Sequence, residues 1–171
     1  IPGFGQEHKR WMARYGGFTD SGALISDGQT GRLRRLPGGH AIATYFLSEE
    51  DRARMQEALE LTCRIYLAAG AKVVFPGFIG APAVHDEKDL RDLMKQPVPR
   101  SRLIGGSLHP MGTCKMGVSP GDSVVDPSGR VHGIGGLYIA DGSILPTCTI
   151  VNPQQAIMTL ALHVARTMVR K

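Results

Sequence analysis

Residues 107–116 read S-L-H-P-M-G-T-C-K-M, and residues 124–153 read V-V-D-P-S-G-R-V-H-G-I-G-G-L-Y-I-A-D-G-S-I-L-P-T-C-T-I-V-N-P. The first stretch places His109 ahead of a Gly-Thr-Cys turn. The second carries a strand-like run, residues 137–140, straight into Asp141-Gly142-Ser143, and it closes on Asn152-Pro153, where a helix is expected to start. A strand ending in Asp-Gly-Ser brings backbone close to a ligand, because glycine removes the side-chain barrier. A polar residue before proline reads as a helix start, with free N–H groups and a positive dipole end. A base, a close-approach turn and a helix N-terminus together point to redox chemistry.

The order and spacing of these residues resemble one family, the glucose–methanol–choline (GMC) flavoprotein oxidoreductases. The family pattern H-P-x-G-T-x-x-M-G is matched by His109, Pro110, Gly112, Thr113, Met116 and Gly117. The pattern V-V-D-x-x-x-R-V-x-G is matched by Val124, Val125, Asp126, Arg130, Val131 and Gly133. Then follow L-x-x-x-D-G-S-x-x-P-T, from Leu137 to Thr147, and the pair Asn152-Pro153. The match is tight over residues 100–170 and looser before them. The resemblance implies an α+β chain that is a piece of an α/β FAD-binding flavoprotein. Residues 1–99 would be part of the substrate-binding domain, an antiparallel sheet with helices. Residues 100–171 would be the C-terminal part of the FAD-binding domain, with its last strand and C-terminal helix.

The chain begins at Ile1 and carries no G-x-G-x-x-G. A dinucleotide-binding flavoprotein needs that turn so that a helix N-terminus can meet the pyrophosphate. Gly133, Gly135 and Gly136 precede a strand-like run instead of following one, so they read as a turn. The expectation is a C-terminal fragment whose Rossmann half, or an oligomeric partner, lies elsewhere. The chain alone would then hold FAD weakly.

Composition sets the outer bounds. A chain of 171 residues is on the scale of one domain. Its 42% hydrophobic and 20% charged content is ordinary for a globular protein. Net charge is +5, with basic residues scattered apart from Arg32, Arg34 and Arg35, and aromatics are 6%. A basic surface interleaved with stacking aromatics is missing, which argues against nucleic acid as a partner. Cys63, Cys114 and Cys148 form neither a C-x-x-C pair nor an even set. That argues against a disulfide scaffold or a metal site and fits a reducing, cytoplasmic setting. No apolar run reaches membrane-spanning length, and no signal peptide is visible.

Along the first hundred residues, runs at 22–25 and 41–47 read as strands, separated by turn chemistry at Ser26-Asp27-Gly28 and Thr30-Gly31. Ser48 opens a helix with Glu49, Glu50 and Asp51 in its first turn, and Gly70 is its stop. Residues 72–75 read as a short strand, and residues 86–95 as a surface helix of mixed charge. Pro97-Val98-Pro99 marks the break before the signature region. The sheet is expected to span residues 22–75, with the Ser48 helix against it and the 137–140 strand left as an orphan. A final helix runs from Pro153 to about Val169, with Ala156, Ile157, Leu160, Ala161, Val164 and Met168 as its apolar stripe and Arg166, Arg170 and Lys171 near its end.

Each candidate site residue has a chemical reason and a plain structural alternative. Oxidation of an alcohol by hydride transfer requires the hydroxyl proton to leave, and a neutral imidazole is suited to accept it. The resemblance assigns that role to His109; a hydrogen-bonded turn histidine is the alternative. It places Asn152 at the second active-site position, where the amide can donate to the substrate oxygen but cannot take a proton; an ordinary N-cap is the alternative. It makes Asp141, Gly142, Asn152 and Pro153 cofactor-binding residues at the flavin's pyrimidine end, where a helix N-terminus favours negative charge. Cys114 reads as a small packing residue, and His132 and His163 as structural or exposed. His8 and Trp11 are possible substrate contacts. The expected activity is oxidation of the CH–OH group of a small alcohol with FAD. The first segment resembles the cholesterol-oxidase-like and choline-dehydrogenase-like branches. A hydroxynitrile lyase of the same family, or an inactive fragment or assembly subunit, is the rival reading.

Overall fold

Ser48 shows how the local sequence starts an element. Its hydroxyl accepts a hydrogen bond from the Asp51 backbone N–H at 2.9 Å and donates to the Asp51 carboxylate at 2.6 Å. The three acidic residues of the first turn sit at the positive end of the dipole. At the other end Gly70 takes φ +89°. The Ala71 N–H reaches the Tyr66 carbonyl, and the Gly70 N–H reaches that of Leu67. This is the paired bonding of a Schellman stop, which a glycine beyond the last turn makes inexpensive. The helix between these signals is Glu49–Ala68.

The computed structural model describes residues 3–28 and 31–169. The fold is α+β, and among the described residues it holds four α-helices and a two-stranded sheet: α1 Gln6–Met12, β1 Arg32–Arg35, β2 Ala41–Thr44, α2 Glu49–Ala68, α3 Glu87–Met94 and α4 Gln154–Val169. The chain divides into two compact units. One comprises residues 1–25 and 47–104, the other residues 26–46 and 105–171.

In the first unit α2 packs on α3. The buried core is Cys63, Val74, Val84 and Leu90, with Tyr66, Leu67, Leu93 and Met94 packed around it. Asp86 caps α3 by accepting from the Lys88 and Asp89 N–H groups, which hold its carboxyl below the usual range, Asp89 most strongly. Gln56 of α2 acts as a strut: its amide donates to the Met94 and Gln96 carbonyls and accepts from the Val98 N–H. Burial pushes the Cys63 thiol up to about 11, so it behaves as a small apolar side chain. Trp11 packs edge-on against Phe18 and Phe75 at 6.0 and 5.0 Å.

Several expected strands do not form. Residues 22–25 adopt no regular structure. The 41–47 run is a strand only over Ala41–Thr44, and its partner is β1, antiparallel with Arg32 opposite Thr44. β1 went unread because Arg-Leu-Arg-Arg looks like a charge cluster. The Thr30 half of the expected Thr30-Gly31 turn, and Arg170 and Lys171, lie outside the described residues. Residues 72–75 contribute a single bridge, Val74 to Val84. Residues 137–140 likewise form one bridge, Tyr138 to Arg130, and no strand. No sheet spans residues 22–75 among the described residues, and α2 packs on α3. Strands need a partner at the right distance, which the local pattern does not encode.

Leu90 is fully buried at the centre of the α2–α3 core. Leu90→Ala is expected to destabilise the first unit by about 2–5 kcal/mol, the cost of a large-to-small core change. Urea unfolding followed by circular dichroism measures it; a loss below about 1 kcal/mol would contradict this packing.

Candidate active site

The second unit is built mostly from turns that pair with one another. Around Val125 the backbone runs in a short ladder: Met116 bridges Val125 in parallel, and Val125 bridges Val131 antiparallel. The signature segment continues onto the Asp-Gly-Ser turn, with the Cys114 N–H donating to the Ser143 carbonyl at 3.0 Å and the Met116 N–H to that of Ile144 at 2.8 Å. These bonds hold the His109 segment against residues 143–144. The core beneath is Val125, Ile144 and Val164, surrounded by Met116, Val131, Tyr138, Ile139 and Leu160.

Two aspartates shape the turns. Asp126 accepts from the Ser128 hydroxyl at 2.5 Å, the Ser128 N–H at 2.8 Å and the Arg130 N–H at 3.2 Å. The Ser128 hydroxyl first, then these amides, holds its carboxyl below the usual range. Asp141 accepts from the Ser143 N–H at 2.8 Å and opens the 3₁₀ turn Gly142–Ile144. Ser143 lowers the Asp141 carboxyl as well, through its side chain and then its backbone N–H. Asp141 therefore has a turn-forming role whatever else it does.

Helix α4 closes the unit. The first intrahelical bond runs from the Ile157 N–H to the Pro153 carbonyl, so Pro153 stands at the N-cap position and Asn152 one residue ahead of it. The expected N-cap role of Asn152 thus shifts by one residue. Pro153 is buried and Asn152 exposed. Lower down, Val164 packs over Gly129, whose φ of +82° suits glycine. A Cβ on Gly129 would stand 2.4 Å from Val164 Cγ2. His163 Nε2 lies 3.0 Å from the Pro127 carbonyl, and the Thr167 hydroxyl donates to the Ser128 carbonyl at 3.2 Å. His132 Nε2 bonds the Ser123 hydroxyl at 2.9 Å and lies 3.2 Å from the Gly117 carbonyl. Both histidines are structural, as the sequence suggested.

Part of the signature region comes together at Gly142. A Cβ on Gly142 would lie 3.1 Å from Ile157 Cδ1 and 4.0 Å from the Pro110 carbonyl. The residue after His109, the Asp-Gly-Ser turn and the first turn of α4 therefore meet there. Gly112 backs this contact against the Leu145 carbonyl. His109 is half-buried, and among the described residues neither ring nitrogen is hydrogen-bonded. No hydrogen bond joins His109, Asn152 and Asp141 to one another among the described residues. The approach to Asn152 is strained: Ile150 has φ +63°, uncommon for a β-branched residue, and Thr149 and Val151 bond across it. Nothing in the local sequence signals this strain or the seat of Ile157 on Gly142, whereas D-G-S does signal the turn at Asp141.

What these residues can hold is set by the donors present. The first turn of α4 offers backbone N–H groups and a positive dipole end, and Asn152 offers an amide; such donors suit an electron-rich ring edge. A half-buried histidine with open ring nitrogens can take a proton. Among the described residues no cluster of three or more His, Cys, Asp or Glu side chains is placed to hold a metal ion.

The chain is similar to known proteins. Residues 32–161 match the family described as GMC oxidoreductase. The chain is 36% identical over its whole length to an uncharacterized GMC-type oxidoreductase of Mycobacterium tuberculosis, covering 27% of that protein. It is 29% identical to a long-chain-alcohol oxidase of Arabidopsis thaliana over 81% of this chain and 20% of that one. The crystal structure of pyridoxine 4-oxidase from Mesorbium loti superposes with a TM-score of 0.55 at 28% identity, over 80% of this chain and 26% of that one. The chain belongs to the GMC oxidoreductase family. It spans about a quarter of the length of the curated relatives it matches. No helix among the described residues is long and apolar enough to cross a membrane.

The depressed Asp126 gives a sign for pH dependence. A carboxylate whose pKa is lower folded than unfolded adds stability above its unfolded value, and that contribution is lost as pH falls through the folded one. The 126–130 turn is therefore expected to loosen below the ordinary carboxylate range near pH 4. Asp126→Asn should flatten this acid limb of a thermal-midpoint-against-pH curve; an unchanged limb would contradict the assignment.

Proposed function

We propose that the enzyme containing this chain oxidises the CH–OH group of a small alcohol, with FAD as cofactor and His109 as general base. The observation that supports this best is His109 itself: a half-buried imidazole with both ring nitrogens open, tied through Pro110 to the Asp-Gly-Ser turn and the start of α4. When bound, FAD would supply the hydride acceptor. His109 would take the alcohol proton at a ring nitrogen. Asn152 would donate its amide N–H to the substrate oxygen as charge develops. Asp141, Gly142, Asn152 and Pro153 would face the flavin's pyrimidine end, with the first-turn N–H groups of α4 favouring negative charge there. The names of related alcohol and pyridoxine oxidases support a CH–OH substrate.

In this reading residues 1–99 belong to a substrate-binding domain, residues 100–171 to the C-terminal part of an FAD-binding domain, and the dinucleotide turn to the rest of a longer polypeptide. The short share of each relative that the chain covers supports this. So do the apolar neighbours of the two site residues, Leu108 at 89% and Val151 at 68% exposure, which further chain would cover.

Anaerobic flavin reduction by an alcohol in stopped flow tests the assignment. His109→Ala should slow it about 10²–10⁴-fold with flavin content retained. Asn152→Ala should cost about 10–100-fold, one hydrogen bond to a developing charge. Wild-type reduction by His109→Ala across the pH range would transfer the base to another residue.

A further inference from the structure

Helix α4 meets the turns beneath it at two glycines, and both contacts come from one face of the helix. Val164, fully buried, sits over Gly129. Ile157 sits over Gly142, with Cδ1 at 3.1 Å and Cγ1 at 3.6 Å from where a Cβ would stand. The two side chains are seven residues apart, two helical turns or about 10 Å along the axis. Leu160, between them, packs into the same core. One seat would leave the helix free to pivot; two seats on one face fix both its rotation and its axial position. A Cβ on Gly142 would also stand 4.0 Å from the carbonyl of Pro110, the residue after His109.

We propose that Ile157 is a positioning residue for the reaction. Seated on Gly142, it sets where Asn152 and the first-turn N–H groups of α4 stand relative to the His109 segment. The role in the reaction rests on the function proposed above; the seat itself does not. It also gives the glycine of the Asp-Gly-Ser turn a reason that involves no cofactor. The missing Cβ leaves room for Ile157. Unlike Gly129, Gly142 has no left-handed backbone, so alanine there changes volume alone.

A double-variant cycle separates this from a glycine reserved for cofactor approach. In the flavin-loaded full-length enzyme, Gly142→Ala should lower the reduction rate constant at saturating alcohol about tenfold with KM nearly unchanged, since the substrate site is displaced and not removed. In the chain without flavin, it should speed amide exchange at residues 157–160 by about tenfold. Ile157→Val removes Cδ1, so Gly142→Ala/Ile157→Val should recover both readouts to within about threefold of wild type. A double variant as impaired as Gly142→Ala, or a Gly142→Ala variant that changes neither readout, overturns the proposal. Should Gly142→Ala fail to fold, Ile157→Ala replaces it: it must lower the rate constant with flavin content retained, and an unchanged rate constant overturns the proposal. If wild type reduces no flavin with any alcohol, the proposed function fails, while the exchange arm still decides the seat.

Discussion

Val164 over Gly129 is the contact on which the second unit turns. A buried aliphatic side chain fills the space where any other residue would place its Cβ, and it does so against a turn and not a sheet. The hydrogen bonds from His163 and Thr167 reach the carbonyls of the same turn, so packing and polar contacts reinforce each other at one point. Asp126 preforms the turn by gathering the Ser128 and Arg130 amides. Without that preforming, the helix would have no fixed surface to dock on. The segments that follow His109 and Gly142 send Met116 and Ile144 into the same small core.

This mode of construction explains what the sequence disclosed. Three helices were legible because each carries its own signals: Ser48 and Gly70 around α2, Asp86 before α3, Pro153 and a long apolar stripe in α4. The short α1 was not, and of the strand-like runs only 41–47 held a strand, β2. The runs at 72–75 and 137–140 have the right residues, yet each meets its partner at one bridge before the chain turns away. β1 was hidden for the opposite reason: Arg-Leu-Arg-Arg has no apolar alternation and is exposed throughout, and it is a strand only because Pro37-Gly38-Gly39 turns it onto β2. The positions of His109, Asp141, Gly142 and Asn152 followed from motif order. The seat of Ile157 on Gly142 did not, because Ile157 arrives on a helix that lies after the motif.

The family and the local chemistry agree on the kind of surface this chain presents. It brings a histidine with open nitrogens and a helix N-terminus to one turn. The apolar side chains beside them are left exposed. The relatives it matches are about four times as long as this chain.

The two cores also differ in when they become available. Cys63, Val74, Val84 and Leu90 lie within a short stretch of sequence, whereas Val125, Ile144 and Val164 all come later, and the last of them sits on the helix that closes the unit. During synthesis from the N-terminus the first core can condense while the second still lacks its keystone. The 26–46 hairpin, which belongs to the later unit, must wait for it. A ribosome-bound intermediate of this protein would thus carry a formed α2–α3 pair beside an unclaimed hairpin, a state in which chaperone binding has an obvious target.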